Sequence, residues 1–566
     1  MKIPPWSRAA SSRAASLALL LGAGALTTGC HTLSANASSE PRVQGPVTPA
    51  VPKPAAGSGK EELKGSALQA GPVLRPAKLL REAVYANRAA VSLDKRSIGP
   101  VAPAPGDGNR FEPNTPSRWT LAAEQGRSTF SVDVDTASYT LARRYLVQQG
   151  TLPPASEVRV EEFVNYFRYH YAPPRDGAFD VHLDGAPSPF SAGHTLVRIG
   201  LQGKVLAKSQ RKPAHLVFLV DTSGSMSQPD RLPLAQSSLK RLVRNLNEND
   251  TVALVTYAGE VRDVLAPIAA SNVKRIDAAI DSLSAGGGTS MGSGLELAYR
   301  HAVEGVSSRS VSRVIVMTDG DTNLGPHQSA ASMLASVQKY VDEGVTLSTI
   351  GFGMGNYRDD LMEKLADKGN GNCFYIDSER EARRVFEERV AGMMEVIAKD
   401  VKLQVEFNPA AVMSYRLIGY ENRALADRDF RNDKVDAGEI GAGHTVTALY
   451  ELELKTGTEK TLATVRVRAK APNGGVAHEQ AFPFGREQVA SSLEAVSADF
   501  RFATAVAGAA DVLRGNPASG GFTLAQAEKL ASKSTDGMAE REEFVQLVHR
   551  ARELRGEGTG AVSATR

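Results

Sequence analysis

The chain has 566 residues and a mass of 60.2 kDa, which is enough for about three or four domains of ordinary size. Hydrophobic residues make up 42% and charged residues 23%, a globular composition that excludes disorder of the whole chain. Of the 66 basic residues, Lys2, Arg8 and Arg13 lie in the first 29 positions, and the other 63 balance the 63 acidic residues. A neutral chain with 6% aromatic residues lacks the charge and the stacking surface that nucleic acid binding requires, so no nucleic acid partner is expected.

Residues 1–29 have the pattern of an export signal peptide. A basic start is followed by an apolar run at 14–26, which is too short to span a bilayer. The Gly29-Cys30 pair resembles the bacterial lipobox, in which the cysteine sulfur is acylated and the cysteine becomes the new N-terminus. Thr27 stands where that motif usually has leucine, so an ordinary secretory signal with an incidental cysteine is the alternative.

The lipobox resemblance implies a lipid-anchored protein of the bacterial cell envelope, attached to the membrane through Cys30. His31 follows in place of the acidic residue linked to inner-membrane retention, so the outer membrane is expected rather than the inner one. Residues 30–116 hold twelve of the 29 prolines and predict a disordered Pro/Ala-rich tether. Cys373 lies in an apolar, strand-like context and is expected to be a buried thiol without a disulfide partner.

Residues 117–212 are predicted to form an N-terminal α+β domain. Alternating apolar residues around Phe130 predict a strand, and helices are expected at 137–149 and 158–171.

Residues 213–398 alternate strand and helix patterns. Buried strands are predicted at 216–220, 251–257, 313–318, 346–352 and 373–376, with helices starting near 232 and at 273–283, 292–306, 329–343 and 359–367. This alternation predicts an α/β fold with a doubly wound, mostly parallel sheet. Residues 399–486 alternate with period two and predict a β-rich domain, and residues 487–566 predict a helical C-terminal region.

Three polar motifs lie at strand ends or in a loop that opens a helix. They are Asp221-Thr222-Ser223-Gly224-Ser225, Gly286-Gly287-Gly288-Thr289-Ser290 and Thr318-Asp319-Gly320. Open α/β sheets bind ligands beyond the carboxyl ends of their strands, so these loops are expected to converge. Two carboxylates and three hydroxyls without His or Cys suit Mg²⁺ or Mn²⁺ rather than Zn²⁺.

Together the three motifs resemble the metal-ion-dependent adhesion site of von Willebrand factor type A (VWA) domains, which have a Rossmann-like fold. The resemblance implies that Ser223 and Ser225 bind the cation directly and that Thr289 binds it directly or through water. It implies that Asp221 and Asp319 mostly hold the metal's waters. One coordination position would then stay open for an Asp or Glu of a protein partner.

Two longer segments resemble the bacterial YfbK-like family. Residues 128–154, with the following VRVEEFVNYFRYHY, are similar to the N-terminal region of that family, and residues 415–452 are similar to its β region. The resemblance covers most of 128–555. It implies an envelope lipoprotein architecture without an assigned reaction.

Two other motifs and one histidine suggest different functions, but their support is weaker. Asp133-Val134-Asp135-Thr136 resembles a phosphatase nucleophile motif but has Ala137 where Thr or Val is required. The YfbK-like resemblance implies instead that Asp133 and Asp135 cap the helix that begins at Ala137. The loop from Asp319 lacks the Gly and Glu of an EF-hand. A hydrolytic site would need a general base, and His327 is the one candidate.

These observations predict a binding protein, not an enzyme, whose VWA domain captures an acidic residue of a protein partner through Mg²⁺ or Mn²⁺. Two alternatives stay open. One is a divalent-metal-dependent hydrolase, and the other is a structural lipoprotein with a stabilising metal site.

Overall fold

The computed structural model describes residues 115–132, 135–320, 329–355 and 357–557, so the predicted signal peptide, Cys30 and the tether up to residue 114 lie outside it. The strands run, in chain order, β1 Thr120–Leu121, β2 Arg127–Ser131, β3 Phe179–Pro187, β4 His194–Gly203, β5 Ala214–Asp221, β6 Thr251–Tyr257, β7 Val261–Ala269, β8 Val311–Thr318, β9 Thr346–Gly351, β10 Cys373–Tyr375, β11 Val396–Phe407, β12 Val412–Ile418, β13 Ala424–Leu425, β14 Ile440–Gly441, β15 Thr445–Leu454, β16 Thr461–Ala471 and β17 Gly474–Gly485. The α-helices are α1 Ala137–Arg144, α2 Val160–Tyr166, α3 Leu232–Arg244, α4 Val273–Asp281, α5 Met291–Val303, α6 Ala330–Asp342, α7 Asp359–Lys368, α8 Glu379–Arg383, α9 Val390–Met394, α10 Ala498–Leu513, α11 Leu524–Ser532 and α12 Ala539–Leu554.

The central segment forms a six-stranded sheet with the order β10-β9-β8-β5-β6-β7. Neighbouring strands are parallel except β7, which runs antiparallel to β6 at the edge. β5, at the centre, is buried along its whole length, as its continuous apolar run predicts. The predicted α/β fold with a mostly parallel sheet is confirmed. The sequence pattern misses β7 because this edge strand keeps polar residues exposed to solvent.

Helices cover both faces of this sheet. Leu216, Phe218 and Val220 of β5 share a core with α3 and α4. Val217 and Leu219, which alternate with them, share a second core with α5 and α6. Because successive side chains of a strand point to opposite faces, one short run of apolar residues serves two cores.

Two antiparallel sheets enclose a third core. Their orders are β1-β12-β15-β4-β3 and β13-β2-β11-β16-β17, with β14 also paired to β11. β4 pairs with β15, placing Thr195 opposite Leu452, and β2 pairs with β11, placing Phe130 opposite Leu403. The strands of 117–212 and of 399–486 therefore build one β sandwich rather than two separate domains. The α/β segment is an insertion between them.

The C-terminal helices pack on the N-terminal ones. α1 and α2 share a core with α10, α11 and α12, in which Phe500 and Phe544 are buried as the apolar stripes of the tail predict. Aromatic rings dominate the junction: Phe167 contacts Phe502 and Phe544 edge to face. Within the described part of the chain, no helix is long and apolar enough to cross a membrane.

Two details of the N-terminal helices differ from the sequence prediction. α2 ends at Tyr166 instead of continuing to residue 171, because Arg384 and Arg389 donate hydrogen bonds to the Tyr166 carbonyl at the helix end. Asp135 does not cap α1. Its carboxylate accepts the Cys373 N–H at 2.8 Å and pairs with Arg423 at 3.0 Å.

The start of α1 is stabilised from another helix instead. The backbone N–H of Ser138 donates to the Glu162 carboxylate of α2 at 2.8 Å. Cys373 is a buried free thiol, as predicted, and burial raises its pKa well above the usual range. Asp133, the other acidic residue of this motif, lies outside the described residues.

Candidate metal centre

The three predicted loops meet at the carboxyl-terminal edge of the central sheet. β5 ends at Asp221 and its neighbour β8 ends at Thr318, so the two strands deliver their loops side by side. The glycine-rich loop that precedes α5 closes over the first of them. Gly286 N–H donates to the Thr222 carbonyl at 2.8 Å, and Gly224 N–H donates to the Gly287 carbonyl at 3.0 Å.

Asp221 organises the first loop. Its carboxylate is buried, and one oxygen accepts the Ser223 N–H at 2.8 Å while the other accepts the Thr318 hydroxyl at 2.7 Å. Burial, followed by the negative charge of Asp319, raises the pKa of Asp221 to about 7. Two carboxylates are thus held close together out of water, an arrangement that a cation stabilises.

Ser223 and Ser225 present their hydroxyls on the same side of this loop. The two Oγ atoms are hydrogen-bonded to each other at a distance of 2.9 Å. Adjacent ligands of an octahedral Mg²⁺ at about 2.0–2.1 Å are separated by about 2.9 Å, so this spacing fits two neighbouring coordination positions. Ser223 is buried and Ser225 is partly exposed, so the pair lies at the surface of the cluster.

Thr289 and Asp319 complete the group of predicted residues, and both are buried. Thr289 lies in the loop that begins with the hydrogen-bonded Gly286. Asp319 follows β8 directly. The next residue, Gly320, has φ +87°, and a Cβ there would lie 2.5 Å from the Arg358 nitrogen, so glycine is required for this turn.

One residue of this cluster is missed by sequence reasoning. Arg231, just before α3, donates from Nη1 to the Asp319 carboxylate at 2.5 Å and to the Ser225 carbonyl at 2.8 Å. A single arginine after a polar loop does not belong to any recognisable sequence motif. Only the fold, in which β8 places Asp319 beside Arg231, shows that this arginine contacts the site.

The donor set fits a small hard cation. The cluster offers the hydroxyls of Ser223, Ser225 and Thr289 and the carboxylates of Asp221 and Asp319, all oxygen donors. His327, the one candidate base for a hydrolytic reading, lies outside the described residues.

A second group of possible metal ligands lies elsewhere. His170, Asp499 and Asp536 each place a ligand atom within 4.8 Å of the others. The buried Arg541 is paired with Asp499 at 2.5 Å and lies 3.8 Å from Asp536, so a guanidinium already provides positive charge there. This group is better explained as an ion-pair network than as a metal site.

Three family models match successive segments of the chain, and one of them covers the α/β segment. The von Willebrand factor type A domain model matches residues 215–388, and the model described as "von Willebrand factor" matches residues 106–198. The model described as "Uncharacterized protein YfbK, C-terminal" matches residues 392–554. VWA domains mediate protein–protein interactions, so the central domain supports a binding role for the chain.

One further relative and one solved structure are similar to parts of the chain. The chain is 24% identical to inter-alpha-trypsin inhibitor heavy chain H3 of Mesocricetus auratus over 268 residues, 43% of this chain and 29% of that protein. The structure of a von Willebrand factor type A protein from Catenulispora acidiphila aligns with a TM-score of 0.40 and 18% identity, covering 68% of this chain and 91% of that one.

The relation to YfbK spans most of both proteins. The chain is 41% identical to "Uncharacterized protein YfbK" of Escherichia coli (strain K12) over 458 residues, which are 76% of this chain and 78% of that protein. The chain therefore belongs to the bacterial YfbK family and carries a VWA domain.

Proposed function

We propose that this chain is a lipid-anchored protein of the cell envelope whose VWA domain captures an acidic side chain of a protein partner through Mg²⁺ or Mn²⁺. The observation that supports it best is the 2.9 Å spacing of the Ser223 and Ser225 hydroxyls beside the buried Asp221. The anchor is proposed on Cys30 and the outer membrane as its location, both from the sequence motif.

In this proposal each residue of the cluster has a defined task. Ser223, Ser225 and Thr289 supply neutral hydroxyl ligands. Asp221 holds the loop through the Ser223 N–H and, with Asp319, supplies negative charge near the cation. The bound cation would act as a Lewis acid with a position open to a carboxylate oxygen.

Charge explains why the partner group is acidic. Neutral hydroxyls leave the positive charge of a cation largely uncompensated, and the two buried carboxylates of Asp221 and Asp319 are partly balanced by Arg231. A partner carboxylate is then attracted by charge and selected by coordination geometry.

The experiment compares what the full-length protein in detergent retains from a solubilised envelope extract. The samples are wild type in Mg²⁺, wild type in EDTA and Asp221→Ala in Mg²⁺. Asp281→Ala is the matched control, because Asp281 is an exposed acid on α4. We expect one set of proteins to be retained by wild type in Mg²⁺ and by the control alone. Identical retention in all four samples contradicts the proposal.

A further inference from the structure

Arg231 forms hydrogen bonds with two residues of the proposed metal site. Its Nη1 donates to Asp319 and to the Ser225 carbonyl, and its Nη2 donates to the Met354 carbonyl at 2.6 Å. The side chain of Arg231 is 11% exposed and that of Asp319 is 1% exposed. The guanidinium therefore joins three loops, and its charge is poorly screened by solvent.

The surrounding backbone makes room for this one side chain. Gly353 has φ +67°, and a Cβ at this position would lie 2.3 Å from Arg231 Nε. That Nε is itself buried and has no hydrogen-bond partner among the described residues. A smaller or neutral residue would avoid the cost of burying this donor, so the position of Arg231 is not explained by packing alone.

The charge of Arg231 opposes that of a metal ion. Without it, Asp221 and Asp319 would present two buried carboxylates to a cation. With it, Asp319 is already paired with a positive group. A divalent ion would therefore be held less tightly, and a bound ion would keep more of its charge for an incoming carboxylate.

We propose that Arg231 is a positioning and tuning residue that keeps the divalent-cation affinity of the site low by neutralising Asp319, so that the bound cation stays attractive to an acidic partner group. This inference rests on the proposed function, because it needs a cation at the cluster. It assigns to Arg231 a role in setting metal affinity, beyond the residues that would coordinate the ion.

The test is a titration of full-length, detergent-solubilised, EDTA-treated protein with Mn²⁺ alone, followed by calorimetry and by the Mn²⁺ paramagnetic resonance signal. Arg231→Met removes the charge and keeps the volume, Arg231→Gln keeps a donor for the carbonyls, and Arg231→Lys keeps the charge. Arg241→Met on α3 is the matched control, because it removes an equal charge from an exposed ion pair. Asp221→Ala corrects for Mn²⁺ bound elsewhere, including the group around His170.

We expect both neutral variants to bind Mn²⁺ at least about tenfold more tightly than wild type, with the Lys variant and the Arg241→Met control close to wild type. A gain in affinity is not the result of structural damage, and one folded neutral variant is sufficient to observe it. Unchanged or weaker Mn²⁺ binding in a folded neutral variant overturns the inference, and so does equal tightening in Arg231→Lys. If wild type binds no more Mn²⁺ than Asp221→Ala, the proposed function fails, and the tuning role fails with it.

Discussion

Arg144 of α1 forms an ion pair with Asp230, the residue that precedes Arg231 in the loop after β5. The same guanidinium also donates to the Tyr375 hydroxyl at 2.7 Å. That hydroxyl in turn donates to the Gly353 carbonyl at 2.5 Å. The N-terminal helix is thus connected through two short paths to the loops around the proposed metal site.

Replacing Arg144 by Met should loosen this connection. We expect a loss of about 1–3 kcal/mol in the free energy of unfolding, because Arg144 is buried and the Tyr375 hydroxyl would lose a partner. Urea unfolding measures the loss, and hydrogen exchange at 228–231 should become faster. Arg241→Met, at an exposed ion pair, should change the free energy by less than about 0.5 kcal/mol. Equal effects of the two variants would contradict a special role for Arg144.

Asp221→Asn separates the fold from metal binding. The amide keeps an oxygen for the Ser223 N–H but removes one of two neighbouring buried charges. We therefore expect a thermal midpoint in EDTA equal to or above that of wild type, whereas the upward shift that Mg²⁺ produces in wild type should be lost. Differential scanning calorimetry in the two buffers measures both. A Mg²⁺ shift of wild-type size in this variant would show that Asp221 is not part of the metal site.

Gly353→Ala tests the space that Arg231 occupies. The new Cβ would lie 2.3 Å from Arg231 Nε, so the guanidinium must move away from Asp319 or the loop must shift. We expect a loss of at least about 2 kcal/mol in unfolding free energy, combining the clash with the cost of a positive φ. Gly515→Ala is the control, since Gly515 has a similar φ of +72° and nothing within 4 Å of a Cβ. The difference between the unfolding free energies of the two variants measures the cost of the clash. Equal losses would mean that the Arg231 side chain moves aside at no cost.

His444 should make stability depend on pH. Burial, and then the nearby Arg389, lower the pKa of His444 to about 3. Between about pH 3 and the unfolded value of about 6.5, the unfolded chain binds a proton that the folded chain does not, so stability falls as pH falls through this range. From neutral pH to about pH 5 this residue should remove about 2 kcal/mol.

The measurement is urea unfolding across that range for wild type and His444→Gln. Glutamine keeps an acceptor for the Gly441 N–H, which lies 3.4 Å from the ring nitrogen. The variant should show a shallower decline below neutral pH, whereas His478→Gln, at an exposed site on β17, should follow wild type. Parallel curves for His444→Gln and wild type would refute the assignment.

Arg416→Met tests whether the helical tail and the β sandwich are one folding unit. Arg416 of β12 is fully buried and pairs with Glu451 of β15 at 3.1 Å and with Asp511 of α10 at 2.9 Å. Its removal leaves the buried Glu451 without its arginine partner, while Asp511 keeps Arg514 at 2.7 Å, and this should cost about 3–5 kcal/mol. Arg466→Met, at a partly exposed pair on β16, should cost less than about 1 kcal/mol. Calorimetry of the variant should show a single unfolding transition at a lower temperature than in wild type. A separate transition for the helical tail would contradict this account.

The sequence by itself determined the α/β core and the residues of the proposed site. The apolar run of β5 and the polar residues directly after it are local signals, because a buried parallel strand must be apolar and its ligand-binding residues must follow its carboxyl end. The apolar stripes of the C-terminal helices are local in the same way, since helical periodicity alone exposes them.

Only the tertiary structure decided which distant segments meet. Nothing in the residues of β4 specifies that Thr195 lies opposite Leu452, because any apolar strand with free edge groups can pair with another. Asp135 looks like a helix cap in the sequence but pairs with Arg423, almost three hundred residues away. Arg231 is the clearest example, because its proposed role depends on its ion pair with Asp319. The parallel pairing of β5 with β8 brings the two residues together, and no local sequence pattern encodes that pairing.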